Sequence, residues 1–198
     1  MREFAEHAIE KVLLFLRRFK PVRERVTLGE FNDSVERDHV ARYAWAKQFC
    51  EGKSVADIAC GTGYGLQMLG ASSASAEGYD RELLCGNIVI DLEKESWKKS
   101  YDVIVSFETI EHLVNPEFFI ANVHRTASLF VVSTPIGEFK GYNPHHKQVW
   151  KEHEFKALLE RWFACRYYYQ RGASITDDAG ATYRFLLAVG TPRPMIAP

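Results

Sequence analysis

The side chains best suited to chemistry begin at a glycine-rich turn that follows a short apolar run. Residues 55–59 form the run, and Cys60-Gly61-Thr62-Gly63 follows it. Glycine tolerates positive φ and lacks a Cβ, so such a turn bends sharply and presents backbone N–H groups to a ligand at close range. Asp57 lies within the run, and a second run ends at Asp80, roughly 20 residues further on, the distance at which an acid reaches ribose hydroxyls in nucleotide-binding folds. The pattern predicts a site for an adenosine-containing ligand.

Acids and histidines follow the later apolar runs. Asp91 lies at the end of a third run, and Glu108, Glu111 and His112 come directly after a fourth. A long polar loop further along the chain carries His146. Because histidine titrates near neutral pH, the two histidines are candidate general bases. Either could instead hold a loop in place, and Glu111 is predicted to be solvated.

Composition excludes several classes of function. The 198 residues suit one domain, and 46% hydrophobic with 26% charged residues is ordinary globular composition. The formal net charge of −1 gives no basic signature, so no nucleic-acid partner is expected. The four cysteines form neither a CxxC pair nor a Cys/His cluster, which predicts free thiols, no metal site and a cytoplasmic protein. No apolar run is long enough to cross a bilayer, so no stable membrane insertion is expected, and a homodimer is left open.

The order of apolar patterns predicts an α/β fold. Strands that alternate with helices through right-handed connections form a doubly wound, mostly parallel sheet with helices on both faces and an antiparallel last strand. The predicted strands lie at residues 55–59, 75–80, 87–92, 101–107, 129–134, 165–170 and 183–189, and the predicted helices at residues 35–49, 64–69, 116–126 and 150–163.

The predicted divisions of the chain are an N-terminal amphipathic helix and linker at residues 1–30, a ligand-binding domain at 31–190 and a flexible tail at 191–198. The apolar residues of the first segment recur at helical spacing, which favours a helix that packs on the domain. A helix that binds a membrane surface or a partner is the alternative.

The motifs together resemble the class I S-adenosylmethionine-dependent methyltransferases, and the likeness covers residues 31–190. Val55–Gly63 is similar to the first motif of that family, with alanines at 56 and 59 where leucine and glycine are commoner. The second, third and fourth motifs are matched by Tyr79-Asp80, by Asp91 and by Tyr101–Leu113. Ser133-Thr134-Pro135 and Asn143–His146 resemble the small-molecule branch, which includes ubiquinone-type and sugar-modifying members. The helix Glu36–Tyr43, which leads into Gly52-Lys53, resembles polysaccharide-associated methyltransferases.

The resemblance implies S-adenosylmethionine as the cofactor, S-adenosylhomocysteine as the product, and in-line transfer of the methyl group to a small-molecule or glycan acceptor, at oxygen. His112 or His146 would be the base for a hydroxyl acceptor. The implied cofactor contacts extend along the whole ligand. Ala59, Gly61, Thr62 and Gly63 would lie against the methionine half, with Asp57 orienting the turn or the ammonium, Asp80 on the ribose, Asp91 and Leu92 beside adenine, Phe107 beside the sulfonium and Arg42 over the carboxylate.

One departure from the family pattern lies between Asp80 and Asn87, where there is no room for the usual helix. A tight loop is predicted there, with Leu83, Leu84 and Asn87 forming the adenine wall or leaving it open. Two other functions fit part of the pattern. A non-catalytic cofactor-binding module or partner subunit would keep the glycine turn, and an NAD(P)-dependent oxidoreductase would explain the turn and Asp80, although the glycine spacing is not GxGxxG.

Overall fold

The structure, a computed structural model, describes residues 33–194. The helix predicted within residues 1–30 and the last four residues of the predicted tail lie outside the described residues. No helix in the described range is long and apolar enough to cross a membrane. The helices are α1 (Asp33–Cys50), α2 (Tyr64–Gly70), α3 (Pro116–Thr126) and α4 (Glu152–Glu160), and a 3-10 turn lies at Ile110–His112. The strands are β1 (Ser54–Ile58), β2 (Ser75–Asp80), β3 (Ile88–Val89), β4 (Tyr101–Phe107), β5 (Ala127–Pro135), β6 (Phe163–Arg171), β7 (Ser174–Thr176) and β8 (Phe185–Pro192).

All eight strands join one sheet in the order β3-β2-β1-β4-β5-β8-β6-β7. The pairs among β1 to β5 are parallel, and β8 inserts antiparallel between β5 and β6. The predicted mostly parallel sheet with an antiparallel closing strand is therefore confirmed. The three-residue strand β7, which pairs with β6, was not predicted because its sequence is polar and short.

Helices cover both faces of the sheet, because successive side chains of a buried strand point to opposite sides. Val55, Val103 and Val105 pack against α1 and α2 on one face. Ala56 and Ile104 belong to the core on the other face, which α3 and α4 cover. The carboxyl ends of β1, β2 and β4 thus emerge at one edge between two helical layers.

The third strand differs from its prediction. A buried strand was expected over residues 87–92, but only Ile88 and Val89 form a strand, and their side chains are 46% and 54% exposed. The reason is position: β3 is the outermost strand, with no neighbour beyond it. No helix occurs between β2 and β4, so the tight crossover predicted after Asp80 is present.

The remaining elements agree with the sequence except at their ends. Helix α3 begins at Pro116, and the Asn115 side chain accepts a hydrogen bond from the Phe118 N–H, as predicted for a cap. Helix α4 is shorter than predicted, since residue 150 instead bridges to residue 136 and the residues from 163 onward enter β6.

Candidate functional site

A cavity of about 910 Å³ opens at the carboxyl ends of the parallel strands, where open α/β sheets bind ligands. Helix α1, the glycine turn after β1 and the loop after β5 form its walls. Three residues predicted for the site, Asp57, Thr62 and Gly63, do not line the cavity, and neither do Leu83, Leu84 and Asn87, the possible adenine wall. The predicted residues that do line it are Arg42, Ala59, Gly61, Asp80, Asp91, Leu92, Phe107, His112 and His146.

The glycine turn has three residues with positive φ. Ala59, Gly61 and Gly63 have φ values of 63°, 55° and 83°. Alanine rarely adopts this left-handed conformation, so Ala59 holds local strain at the point where the chain leaves β1. A Cβ on Gly63 would lie 2.6 Å from the Cys85 side chain, which closes the space behind the turn.

Gly65 allows the first turn of α2 to pack directly on α1. A Cβ at this position would lie 2.1 Å from the ring of Tyr43, so no larger residue fits. The contact matters for the site because Tyr43 lines the cavity and its hydroxyl donates to the Asp57 carboxylate at 3.2 Å.

We expect Gly65→Ala to lower the free energy of unfolding by about 1–3 kcal/mol, the usual cost of overpacking a buried site. Urea denaturation would measure the loss. Gly70→Ala is the matched control in the same helix, because a Cβ there meets only Ala76 at 3.4 Å. The control should be neutral or more stable by up to about 1 kcal/mol, since alanine favours helix. Equal stabilities of the two variants would contradict the packing argument.

Asp57 acts from beneath the cavity rather than in it. Its side chain is fully buried and contacts Tyr43, whose ring lies 5.0 Å from that of Phe107. Burial raises the pKa of Asp57 to about 7, against the opposing effect of the Tyr43 hydrogen bond. The carboxyl group therefore positions an aromatic wall of the site.

The raised pKa of Asp57 makes stability depend on pH. The folded pKa of about 7 exceeds the ordinary value of 3.8, so the folded chain binds more protons than the unfolded chain between these values. The free energy of unfolding should fall as pH rises from about 4 to about 7, by on the order of 4 kcal/mol. Asp57→Asn should remove this part of the profile in urea denaturation at several pH values. The exposed Asp177→Asn should keep the wild-type profile, and an unchanged profile in Asp57→Asn would refute the assignment.

Asp80 connects the glycine turn to the next loop. One carboxylate oxygen accepts from the Gly61 N–H at 2.9 Å, and the other accepts from the Glu82 N–H at 3.2 Å. The side chain is 5% exposed and lies in the cavity wall. The carboxylate is therefore held in one orientation beside the turn. This is the position at which the family resemblance implies a contact with the ribose of the cofactor.

Asp91 and Leu92 line the cavity and are half-buried. The Asp91 carboxylate forms an ion pair with Lys94 at 2.7 Å and accepts from the Glu93 N–H at 3.0 Å. The Lys94 contact holds the pKa of Asp91 below its ordinary value. Leu92 packs against the edge of the core.

Arg42 is held in the cavity wall by groups that the sequence did not reveal. Its guanidinium donates to the Gln170 side chain at 2.9 Å and lies 4.3 Å from the centre of the Phe185 ring. Glu108 lies 3.9 Å away, and its Oε1 accepts from the Ser133 hydroxyl at 2.8 Å. Gln170 lies on strand β6, whose sequence contains no site motif. The contact between Gln170 and Arg42 could therefore not be predicted from the sequence.

Glu108, which is half-buried, and Glu111, which is buried, lie beside β5. Glu108 has a positive φ of 52°, a second strained residue at the cavity edge. Glu111 was predicted to be solvated, but the prediction is wrong: it is 1% exposed. The loop after β5 covers it, and its backbone carbonyl accepts from the N–H groups of Lys147 and Gln148. Burial raises the pKa of both carboxyls, with Arg42 opposing the rise at Glu108.

The same loop brings the two predicted histidines together. The rings of His112 and His146 lie 4.8 Å apart and perpendicular to each other. His146 Nδ1 lies 2.6 Å from a Glu138 carboxylate oxygen, and the Asn143 side-chain amide donates to Nε2 at 2.9 Å. Both contacts are satisfied when the ring proton is on Nδ1. His146 is therefore oriented by an acid, as in catalytic and metal-binding histidines.

Acidic side chains outnumber basic ones around the cavity. Among residues 33–194, eight of the lining residues are Asp or Glu and four are Lys or Arg. In a partly buried site such an excess favours a cationic ligand, because the local dielectric constant is lower than that of water.

Comparison with known proteins gives concordant matches. Residues 1–177 match the model of a family described as a methyltransferase domain. A "Probable S-adenosylmethionine-dependent methyltransferase" of Mycolicibacterium smegmatis is 28% identical over 148 residues, which are 63% of this chain. The match covers 56% of that relative, so the chain spans about half of its length.

Solved structures with a similar fold include two methyltransferases. One is a TehB-like SAM-dependent methyltransferase from Corynebacterium glutamicum, with a TM-score of 0.62, 16% identity, and coverage of 98% of this chain and 100% of that one. The other is the small RNA methyltransferase HEN1, also with a TM-score of 0.62, with 17% identity, 87% of this chain and 27% of that one. At these identities the likeness concerns the fold.

Proposed function

Because the chain belongs to the methyltransferase-domain family, we propose that it transfers the methyl group of S-adenosylmethionine to a hydroxyl oxygen of a small-molecule or sugar acceptor. The observation that carries the proposal is a single acid-rich cavity that brings together the glycine turn, Asp80 and the His112–His146 pair. The first two suit the cofactor, and the histidines suit the removal of a hydroxyl proton.

The residues around the turn fit S-adenosylmethionine. The backbone of Ala59 and Gly61 is proposed to lie against the methionine half, and Asp80 to accept from the ribose hydroxyls. Buried Arg42 Nε has no hydrogen-bond partner among the described residues, which supports binding of the methionine carboxylate there. Asp91 and Leu92 are proposed to lie beside adenine.

In the proposed reaction the polypeptide binds the cationic sulfonium, aligns the two reactants and removes the hydroxyl proton. Bound S-adenosylmethionine would supply a methyl group on a positively charged sulfur, which is already a good leaving group. Phe107 and Glu108 provide an apolar wall and a negative charge beside the cavity, which favour a cation and restrict water. The main contribution is alignment, which can supply roughly 7–11 kcal/mol. A histidine that takes the hydroxyl proton contributes a further 10²–10⁴-fold, the typical range for general bases.

The charge of the cavity disfavours an anionic acceptor and is compatible with an uncharged one. HEN1 is described as acting on small RNA, and an RNA acceptor would bring phosphates to the mouth of the cavity. Nucleic-acid binding depends on lysines and arginines that neutralise phosphates. The acidic excess here opposes that, and a sugar or small hydroxyl compound meets no such repulsion.

Calorimetry followed by a transfer screen tests the proposal. S-adenosylmethionine and S-adenosylhomocysteine should bind, and NAD should not. Labelled S-adenosylmethionine should then methylate members of a glycan and metabolite panel, while an RNA oligonucleotide stays unlabelled. Binding of NAD alone would support an oxidoreductase. Binding of S-adenosylmethionine without transfer to any acceptor would support a non-catalytic module.

A further inference from the structure

We infer that Glu111, His112 and His146 form a binding site for a divalent transition-metal ion on the acceptor side of the cavity. Each residue offers one ligand atom, and the three atoms lie within 4.8 Å of one another. The sequence predicted no metal site, because two ligands lie on the 3-10 turn and the third on a distant loop. Only the fold brings them together.

The Glu111 carboxylate gives independent support. The residue is 1% exposed, and its Oε2 accepts from the Thr134 hydroxyl at 3.1 Å. Its Oε1 is buried and has no hydrogen-bond partner among the described residues. An uncompensated buried carboxylate oxygen is costly, and a cation at the cluster would compensate it.

The surroundings of His146 match those of a metal ligand. Metal-bound histidines usually donate the other ring N–H to a carboxylate, which fixes the tautomer. Glu138 occupies that position on Nδ1, while the Asn143 amide contacts Nε2. Binding of a cation at Nε2 would replace the amide contact and keep the Glu138 contact.

The ligand set selects the class of metal. Two imidazoles and one carboxylate, with the remaining positions open to the cavity, are typical of catalytic zinc and of other first-row divalent ions. Bonds of about 2.0–2.2 Å would bring the three atoms closer together than they now lie. Because Glu111 and His112 are adjacent on one turn, the loop that carries His146 would make most of this movement.

The inferred metal site deepens the proposed function, on which its catalytic role rests. An acceptor hydroxyl bound to the cation would have a lowered pKa. Its O–H bond breaks and the proton goes to water, the O–CH₃ bond forms, and the S–CH₃ bond breaks with the electron pair remaining on sulfur. The histidines then serve as ligands, and hydroxyl activation depends on the metal.

Metal binding can be tested without cofactor or acceptor. Chelator-treated protein would be titrated with Zn²⁺, Co²⁺ and Mn²⁺ by calorimetry, and Mn²⁺ binding followed by electron paramagnetic resonance. We expect one saturable site, weakened at least 10-fold in His146→Ala and in Glu111→Gln. His145→Ala is the matched control, since its side chain lies outside the cluster and should leave the affinity unchanged. Circular dichroism would show that the variants fold.

Two results would overturn the inference: no saturable binding of any of the three ions, or equal affinity in wild type and both ligand variants. A chelation assay distinguishes failure of the metal inference from failure of the proposed function. Methyl transfer should be lost with a chelator and restored by one of the ions. Transfer that survives chelation would refute the metal's role and leave the methyltransferase proposal intact.

Discussion

Replacement of His146 by alanine is expected to lower kcat for methyl transfer by about 10²–10⁴-fold, the usual contribution of a group that activates a hydroxyl. The imidazole lies beside His112 and is oriented by Glu138, so its removal takes away an aligned proton acceptor or metal ligand. Affinity for S-adenosylmethionine should change little, because the glycine turn and Asp80 lie elsewhere in the cavity. Steady-state kinetics with labelled cofactor, combined with calorimetry, separates the two quantities.

His145→Ala is the control for this prediction, since the neighbouring histidine lies outside the His112–His146 contact. It should retain kcat within a few-fold. Equal turnover in wild type and His146→Ala at saturating acceptor would contradict the role of the pair. A parallel loss of cofactor binding would instead assign His146 to the structure of the loop.

Replacement of Asp80 by asparagine is expected to raise the Kd for S-adenosylmethionine by about 10–150-fold. The carboxylate holds the Gly61 N–H at 2.9 Å and is proposed to accept from ribose. Hydrogen bonds to a charged group contribute about 1.5–3 kcal/mol, and the amide keeps only one acceptor oxygen. Calorimetric titration measures the change directly.

Asp91→Asn provides the matched comparison for Asp80. Its carboxylate is 40% exposed and already paired with Lys94, so the same change should weaken cofactor binding less. If the two variants lose affinity equally, or if Asp80→Asn binds as the wild type does, the proposed ribose contact is wrong. Thermal denaturation of each variant separates loss of contact from loss of fold.

The parts of the site that sequence predicted are those with local signals. The strand β1, the glycine turn and helix α2 form one continuous segment, so glycine spacing and apolar runs suffice to place them. Asp80 lies at the end of the next strand, and the parallel sheet places that end beside the turn. These residues and the segment after β4 were sufficient to predict the methyltransferase family, which the family model matches.

The other contacts depend on packing between distant segments. Glu111 is buried in the fold, where the N–H groups of Lys147 and Gln148 donate to its backbone carbonyl and tie the loop after β5 to it. Gln170 reaches Arg42 from a strand with no site motif. Side-chain types give no sign of such pairings before the chain folds, and the metal cluster is hidden for the same reason.

Backbone strain at the site was equally hidden. Ala59 and Glu108 both have positive φ, at the ends of β1 and β4. Alanine and glutamate rarely adopt positive φ, so the residue types do not predict this backbone conformation. Both strained residues line the cavity, as is common for backbone strain at functional sites.

Identification of the methylated atom is the decisive test of the proposed methyl transfer to oxygen. The protein would be incubated with ¹³C-methyl S-adenosylmethionine and the acceptor found in the screen, and the product analysed by mass spectrometry and NMR. We expect one labelled methyl group on an acceptor oxygen, with formation of S-adenosylhomocysteine. Label on nitrogen or carbon, or cofactor binding with no transfer to any hydroxyl compound, would contradict it.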